Sequence, residues 1–147
     1  MNYVFQEGFD LRLKAWYNLR QSLQASNLQT SCIEIDQWWQ QVPLVNRYLD
    51  GDFIDTWPNP WELLADNHYC AVARGLGMVY TLLLLGVIEV EFVQAIDYNK
   101  NSVALVLVDR AKYIMNYWPD SVVNSSLHSF TITNTIDVKK IQNKIGL

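Results

Sequence analysis

An α+β fold follows from the order of the periodicities along the chain. Helical spacing dominates the first half and strand-like alternation the second, with no β–α–β interleaving. Between them, Tyr69 to Leu85 is apolar on nearly every side, which predicts a buried helix rather than a half-wet one. The expected architecture is N-terminal helices and a buried central helix packed on a small antiparallel sheet. The 147 residues suit a single domain.

Phe9, Leu13, Trp16, Tyr17, Leu19 and Leu23 recur at helical spacing and predict a helix over about 8–25, with Arg12, Lys14 and Arg20 toward solvent. "SNLQTS" (26–31) reads as a polar break. A second helix is expected over about 33–48, with Ile35, Trp38, Trp39, Val42 and Val45 as its apolar face and a kink at Pro43. Asp50-Gly51 marks a turn. "NPWE" then carries a helix start: Asn59 as N-cap, Pro60 at the first helical position, and Glu62 reaching back as in a capping box. Asp66 or Asn67 would cap the central helix, over about 69–85. Gly75 and Gly77 inside it each cost about 1 kcal/mol relative to Ala. They make sense where another backbone packs very close. Arg74, its one charge, needs a partner or a route to the surface.

Strands are expected over about 87–98, 103–108, 113–118 and 128–135, and an amphipathic helix closes the chain over about 137–145. In the first strand Ile88, Val90 and Phe92 alternate with Glu89 and Glu91, whose carboxylates read as a solvated face. "VALVLV" (103–108) is apolar on both faces and suits an interior strand.

The formal net charge of −4, without a Lys/Arg cluster, argues against nucleic-acid binding. Two cysteines, Cys32 and Cys70, are too few for a disulfide framework, and two histidines with no Cys-x-x-Cys offer no structural zinc site. Asp50, Asp52 and Asp55 lack the spacing of a calcium loop. Neither a cofactor nor a metal is expected. The N-terminus has no apolar signal core, and the run Met78 to Ile88 is about half the length that spans a bilayer. The chain reads as soluble, cytoplasmic or virion, not secreted through a signal peptide and not membrane-bound.

Cys70 falls where a loop turns into the apolar helix. A cysteine in the first turn of a helix feels the positive end of the dipole, which favours the nucleophilic thiolate. Catalysis would further need a base, and the base an orienting group. "PWELLADNHYCAVARGLGMVYTLLLLG", followed by "NSVALVLVDRAKYIMNYWPD", resembles the transglutaminase-like cysteine hydrolase superfamily over roughly Pro60 to Asp120, under half the chain. There a Pro-led short helix precedes a Cys-initiated core helix and a β-hairpin, whose first strand opens on histidine and whose second closes on an acid. Carried over residue by residue, the nucleophile matches Cys70 and the acid position matches Asn116. The histidine position falls at Asn101, or within two residues at Ser102 or Val103, none of which is histidine. With Arg110-Ala111 as the turn, Leu105 lies opposite Asn116 and Asn101 shares that face, so Asn101 and Asn116 would line a pocket with Cys70. His68 and His128 are the candidate substitute bases. Cys32 reads as structural.

The expected function is therefore non-catalytic: a structural or protein-interaction role on a degenerate transglutaminase-like scaffold. The runner-up is a cysteine hydrolase or acyltransferase using Cys70 as nucleophile. Trp38, Trp39, Trp57 and Trp61 are the candidate anchors for a protein partner or a second copy of the chain, since Trp dominates interface hot spots. Small, aromatic-rich proteins with a degraded enzyme core resemble accessory proteins of tailed-phage particles, which extends the expectation to a virion component.

Overall fold

A computed structural model of the chain describes residues 4–45, 49–117, 123–124 and 130–146. Its helices are α1 (Phe9–Ser22), α2 (Leu28–Trp39), α3 (Pro60–Asp66), α4 (Ala71–Leu84) and α5 (Val138–Asn143). Its strands are β1 (Val90–Asp97), β2 (Ser102–Val108), β3 (Tyr113–Met115), β4 (Val123–Asn124) and β5 (Phe130–Ile136). They form one antiparallel sheet in the order β4-β3-β2-β1-β5. The α+β class and its arrangement are those expected.

α4 is the centre. Twelve of its residues, Val72 to Leu83, are buried, between α2 on one side and β1 and β2 on the other. Both glycines admit side chains, chiefly rings, and not the second backbone that was expected. A Cβ on Gly75 would come within 2.8 Å of Phe92 Cε1 and 2.9 Å of Asn116 Nδ2, and one on Gly77 would enter the six-membered ring of Trp39. Thr81 ties the helices together. Its hydroxyl donates to the Gly77 carbonyl at 2.7 Å and accepts from the indole N–H of Trp16 (2.9 Å) and of Trp39 (3.0 Å).

The capping box at α3 forms as expected, with Asn59 and Glu62 each accepting the other's backbone N–H at 2.8 and 3.0 Å. The next boundary differs. Neither Asp66 nor Asn67 caps α4. Asp66 ends α3, Asn67 takes the left-handed C-cap position (φ 54°), and Cys70 is itself the N-cap. α2 likewise starts inside the supposed polar break, because the Asn27 side chain accepts from Thr30 N–H at 2.8 Å. It ends at Trp39, short of Pro43.

Arg12 was expected in solvent and is buried. It donates to the carbonyls of Glu7, Leu64 and Ala65, satisfying carbonyls that the end of α3 leaves unpaired. The tryptophan patch also dissolves. Trp39 and Trp57 are core residues, Trp38 is half-buried against Phe5, and Trp61 alone of the four is exposed. Aromatic crowding around α4 takes the others inward. Ile88, placed on the inner face of the first strand, precedes β1 and is exposed.

Candidate functional site

Cys70 sits at the mouth of α4, half-buried, in extended conformation (φ −112°, ψ −179°). Its Sγ accepts the Ala73 N–H at 3.4 Å, the usual arrangement of an N-cap with sulfur in place of oxygen. The thiol therefore points at the first turn of the helix.

Asn116 reaches the same place from the sheet. The β2–β3 register runs Val106↔Met115, Leu107↔Ile114 and Val108↔Tyr113, which continues to the expected Leu105 opposite Asn116. In a regular strand Asn116 would then face away from α4, because Leu105 belongs to the cluster on the opposite face of the sheet with Val93 and Ile114. Asn116 instead takes a left-handed φ of 65°, ending the strand and turning its side chain back onto α4. Asn tolerates this conformation better than most residues. Its Nδ2 donates to the carbonyls of Ala71 (2.9 Å) and Ala104 (2.8 Å), and its Oδ1 accepts from Arg74 Nε at 2.6 Å. Its backbone N–H donates to Asp36 Oδ1 at 2.8 Å.

A buried chain Asp36–Asn116–Arg74 thus runs from α2 through the end of β3 to α4, one turn from Cys70. It answers where Arg74 finds its partner. Burial raises the Asp36 carboxyl above its ordinary pKa, opposed by hydrogen bonds from Asn116 and Gln40 and by the charge of Arg74. Burial lowers that of Arg74, opposed by Asp36 and Cys70. The Asp36 Oδ2 is buried without a partner among the described residues. Asp36 was not singled out from sequence, yet a signal was present: it falls on the apolar stripe of α2 beside Cys32, Ile35 and Trp39, where a carboxylate needs an internal reason.

This predicts a pH dependence. The native chain holds the Asp36 proton to higher pH than the unfolded chain, whose aspartates titrate near about 3.9. Stability tied to Asp36 is complete below that unfolded value and is lost as pH rises through the raised folded value. The unfolding free energy of the wild type, minus that of Asp36→Asn, should therefore fall as pH rises from about 4. Urea denaturation of both proteins from that pH upward measures it. A flat difference would mean that the carboxyl does not titrate there.

Asn101 does not join the site. It is exposed in the β1–β2 turn, where its N–H donates to Asp97 Oδ1 at 2.9 Å, and its parity on β2 is that of Leu105, on the face away from α4. The β2 residues that face α4 are Ala104, Val106 and Val108. Ala104, beside Asn116, has no titratable group. His68 stays outside the helix and is exposed. Tyr69 bridges to Leu44 and Cys70 is extended, so alternation puts His68 on the same side of the chain as Cys70, opposite the buried Tyr69. His128 lies outside the described residues. Among the described residues no three His, Cys, Asp or Glu side chains converge as metal ligands, and no helix is long and apolar enough to cross a membrane.

No protein family's profile matches the sequence, and no curated protein does. Among solved structures, Legionella pneumophila LapG superposes with a TM-score of 0.73 at 15% identity, covering 88% of this chain and 75% of the LapG chain. The fold is transglutaminase-like. The likeness in fold is not confined to Pro60 to Asp120 but takes in most of the chain.

Proposed function

We propose that the chain is a non-catalytic, protein-binding component built on a transglutaminase-like scaffold. One observation carries the reading. The group beside Cys70 that corresponds to the family's acid is an amide with both Nδ2 hydrogens given to carbonyls and its Oδ1 taken by Arg74. The neighbouring strand position that faces α4 is Ala104. Among the described residues, a thiol so placed has no proton acceptor on the sheet side, and general acid–base help is worth about 10²–10⁴-fold in rate. The setting proposed with this role is cytoplasmic or virion, with a protein partner or further copies of the chain rather than nucleic acid or lipid. The net charge of −4 and the exposed Trp61 support it.

Thiol reactivity tests the proposal. In the native protein at neutral pH, iodoacetamide should modify Cys70 no faster than it does in the unfolded chain, as read by mass spectrometry at each cysteine. A native rate well above the unfolded one would overturn the reading, since an activated nucleophile reacts faster folded than unfolded. Cys32 is the internal control: burial, reinforced by Asp36 and Asp109, pushes its thiol up to about 12, so it should label only on unfolding.

A second reading, a cysteine hydrolase or acyltransferase, is favoured by the placement of His68. Lying outside the helix, on the same side of the chain as Cys70, it is the one described histidine with a route to the sulfur. That reading requires His68→Ala to slow native alkylation of Cys70. No change excludes His68 as the base.

A further inference from the structure

The outer stripe of α1 and the start of α3 enclose a groove of about 420 Å³, lined by Asp10, Leu13, Lys14, Tyr17, Arg20 and Trp61. Its floor is aromatic and open: Tyr17 is 52% and Trp61 43% exposed, although both rings are of the kind usually buried. Its rim carries two cations. Arg20 lies with its guanidinium 4.2 Å over the Trp16 ring and 5.6 Å from the Tyr17 ring, so its planar fork is held in place. Its Nε is buried without an acceptor among the described residues. Neither Lys14 nor Arg20 forms an ion pair with another described residue. In a chain of net charge −4 this groove concentrates positive charge beside apolar surface, with Asp10 its one acid.

The geometry points to an acidic-apolar peptide segment of a partner protein as the occupant, with a large apolar side chain between Tyr17 and Trp61 and a neighbouring carboxylate on Arg20 and Lys14. A held guanidinium suits a carboxylate better than a flexible ammonium does. The site names the partner chemistry for the protein-binding role proposed above and rests on that reading. It uses no residue of the Cys70 site.

The test compares acetyl-Ala-Leu-Glu-Glu-amide with acetyl-Ala-Leu-Gln-Gln-amide, titrated into the full-length ¹⁵N-labelled protein. The acidic peptide should shift the Trp61 indole N–H and the Arg20 Nε–H, binding roughly tenfold tighter than the amide peptide, as loss of one charge-assisted contact implies. Arg20→Gln should erase that preference, and Lys14→Gln, a fully surface change, should reduce it without altering the fold. Equal affinity for the two peptides, or shifts reproduced by acetate alone, overturns the assignment. So do shifts that grow with protein concentration in the absence of peptide, which would make a second copy the occupant. Cys70→Ala run in parallel separates the two claims. Ester hydrolysis that vanishes in this variant overturns the non-catalytic reading and leaves the peptide result standing. Failure of the peptide without any hydrolysis removes the groove assignment alone.

Discussion

Gly77→Ala is expected to cost on the order of 2–4 kcal/mol net, a large share of the total stability of a small domain. The added methyl would sit 2.6 Å from Trp39 Cε3 and Cη2, inside the ring's own volume. The ring has nowhere to go. Phe5, Trp38, Trp16 and Tyr69 surround it with centroids 5.9, 4.9, 6.5 and 6.0 Å away, and its N–H is tied to Thr81. Gain of helix propensity, about 1 kcal/mol for Gly to Ala, offsets only part of that overpacking. Chemical denaturation measures the loss, and Trp39→Phe supplies the diagnostic. Phenylalanine's single, smaller ring lacks the outer indole carbons Cζ3 and Cη2 that collide, so the double variant should be less destabilised than the sum of the single ones. A Gly77→Ala protein within about 0.5 kcal/mol of wild type would mean that α2 and α4 are not packed this closely, since that is the range of a surface change.

The same glycine shows what the sequence discloses. A costly residue in an otherwise ideal apolar helix says that something packs there, but not that it is a ring and not a second backbone. Some local chemistry was legible: the Asn59/Glu62 box, the closing helix with Ile141 inside, and the hairpin register through Leu105 all rest on contacts close in sequence, whereas the caps of α2 and α4 were not legible. Residues whose role depends on a distant element were not. Arg12 looked wet because the carbonyls it satisfies belong to α3, more than fifty positions away. α2 began early because Asn27 competes well as a cap, which a count of polar residues in "SNLQTS" obscures. Trp39 and Trp57 looked available for a partner because only the assembled fold shows which rings α4 and β1 absorb. At the site, Cys70 and Asn116 were found by resemblance. Asn101 was lost because a single left-handed residue, Asn116, reverses the parity on which the placement depended. Backbone inversion at one position leaves no periodic trace.

Asn116→Asp places an acid where the superfamily that the sequence resembles has one, and should nevertheless damage the protein, by about 2–4 kcal/mol at neutral pH. Backbone strain does not enter, because Asp accepts the left-handed region about as well as Asn. What changes is the sign of one end of the side chain. The two donated hydrogens that satisfy Ala71 and Ala104 are replaced by an oxygen facing two carbonyl oxygens, and a second carboxyl is buried near Asp36. Arg74 recovers part of the loss. Those surroundings raise the new carboxyl's folded pKa, so its protonated form, which can return one hydrogen bond, is favoured in the native state. The penalty should therefore shrink as pH falls toward the unfolded carboxylate value of about 3.9 and be largest above the folded one. Denaturation of wild type and variant at two pH values reads both magnitude and sign. Asn116→Ala adds a residue that resists positive φ and leaves both carbonyls and Arg74 Nε unpaired, so it should cost at least as much, without the pH dependence. Neither variant should hydrolyse esters or amides, because an acid can only orient a base, and Ala104 supplies none. Turnover gained by Asn116→Asp would mean that a base already stands within reach of Cys70, and would favour the cysteine-hydrolase reading over the non-catalytic one.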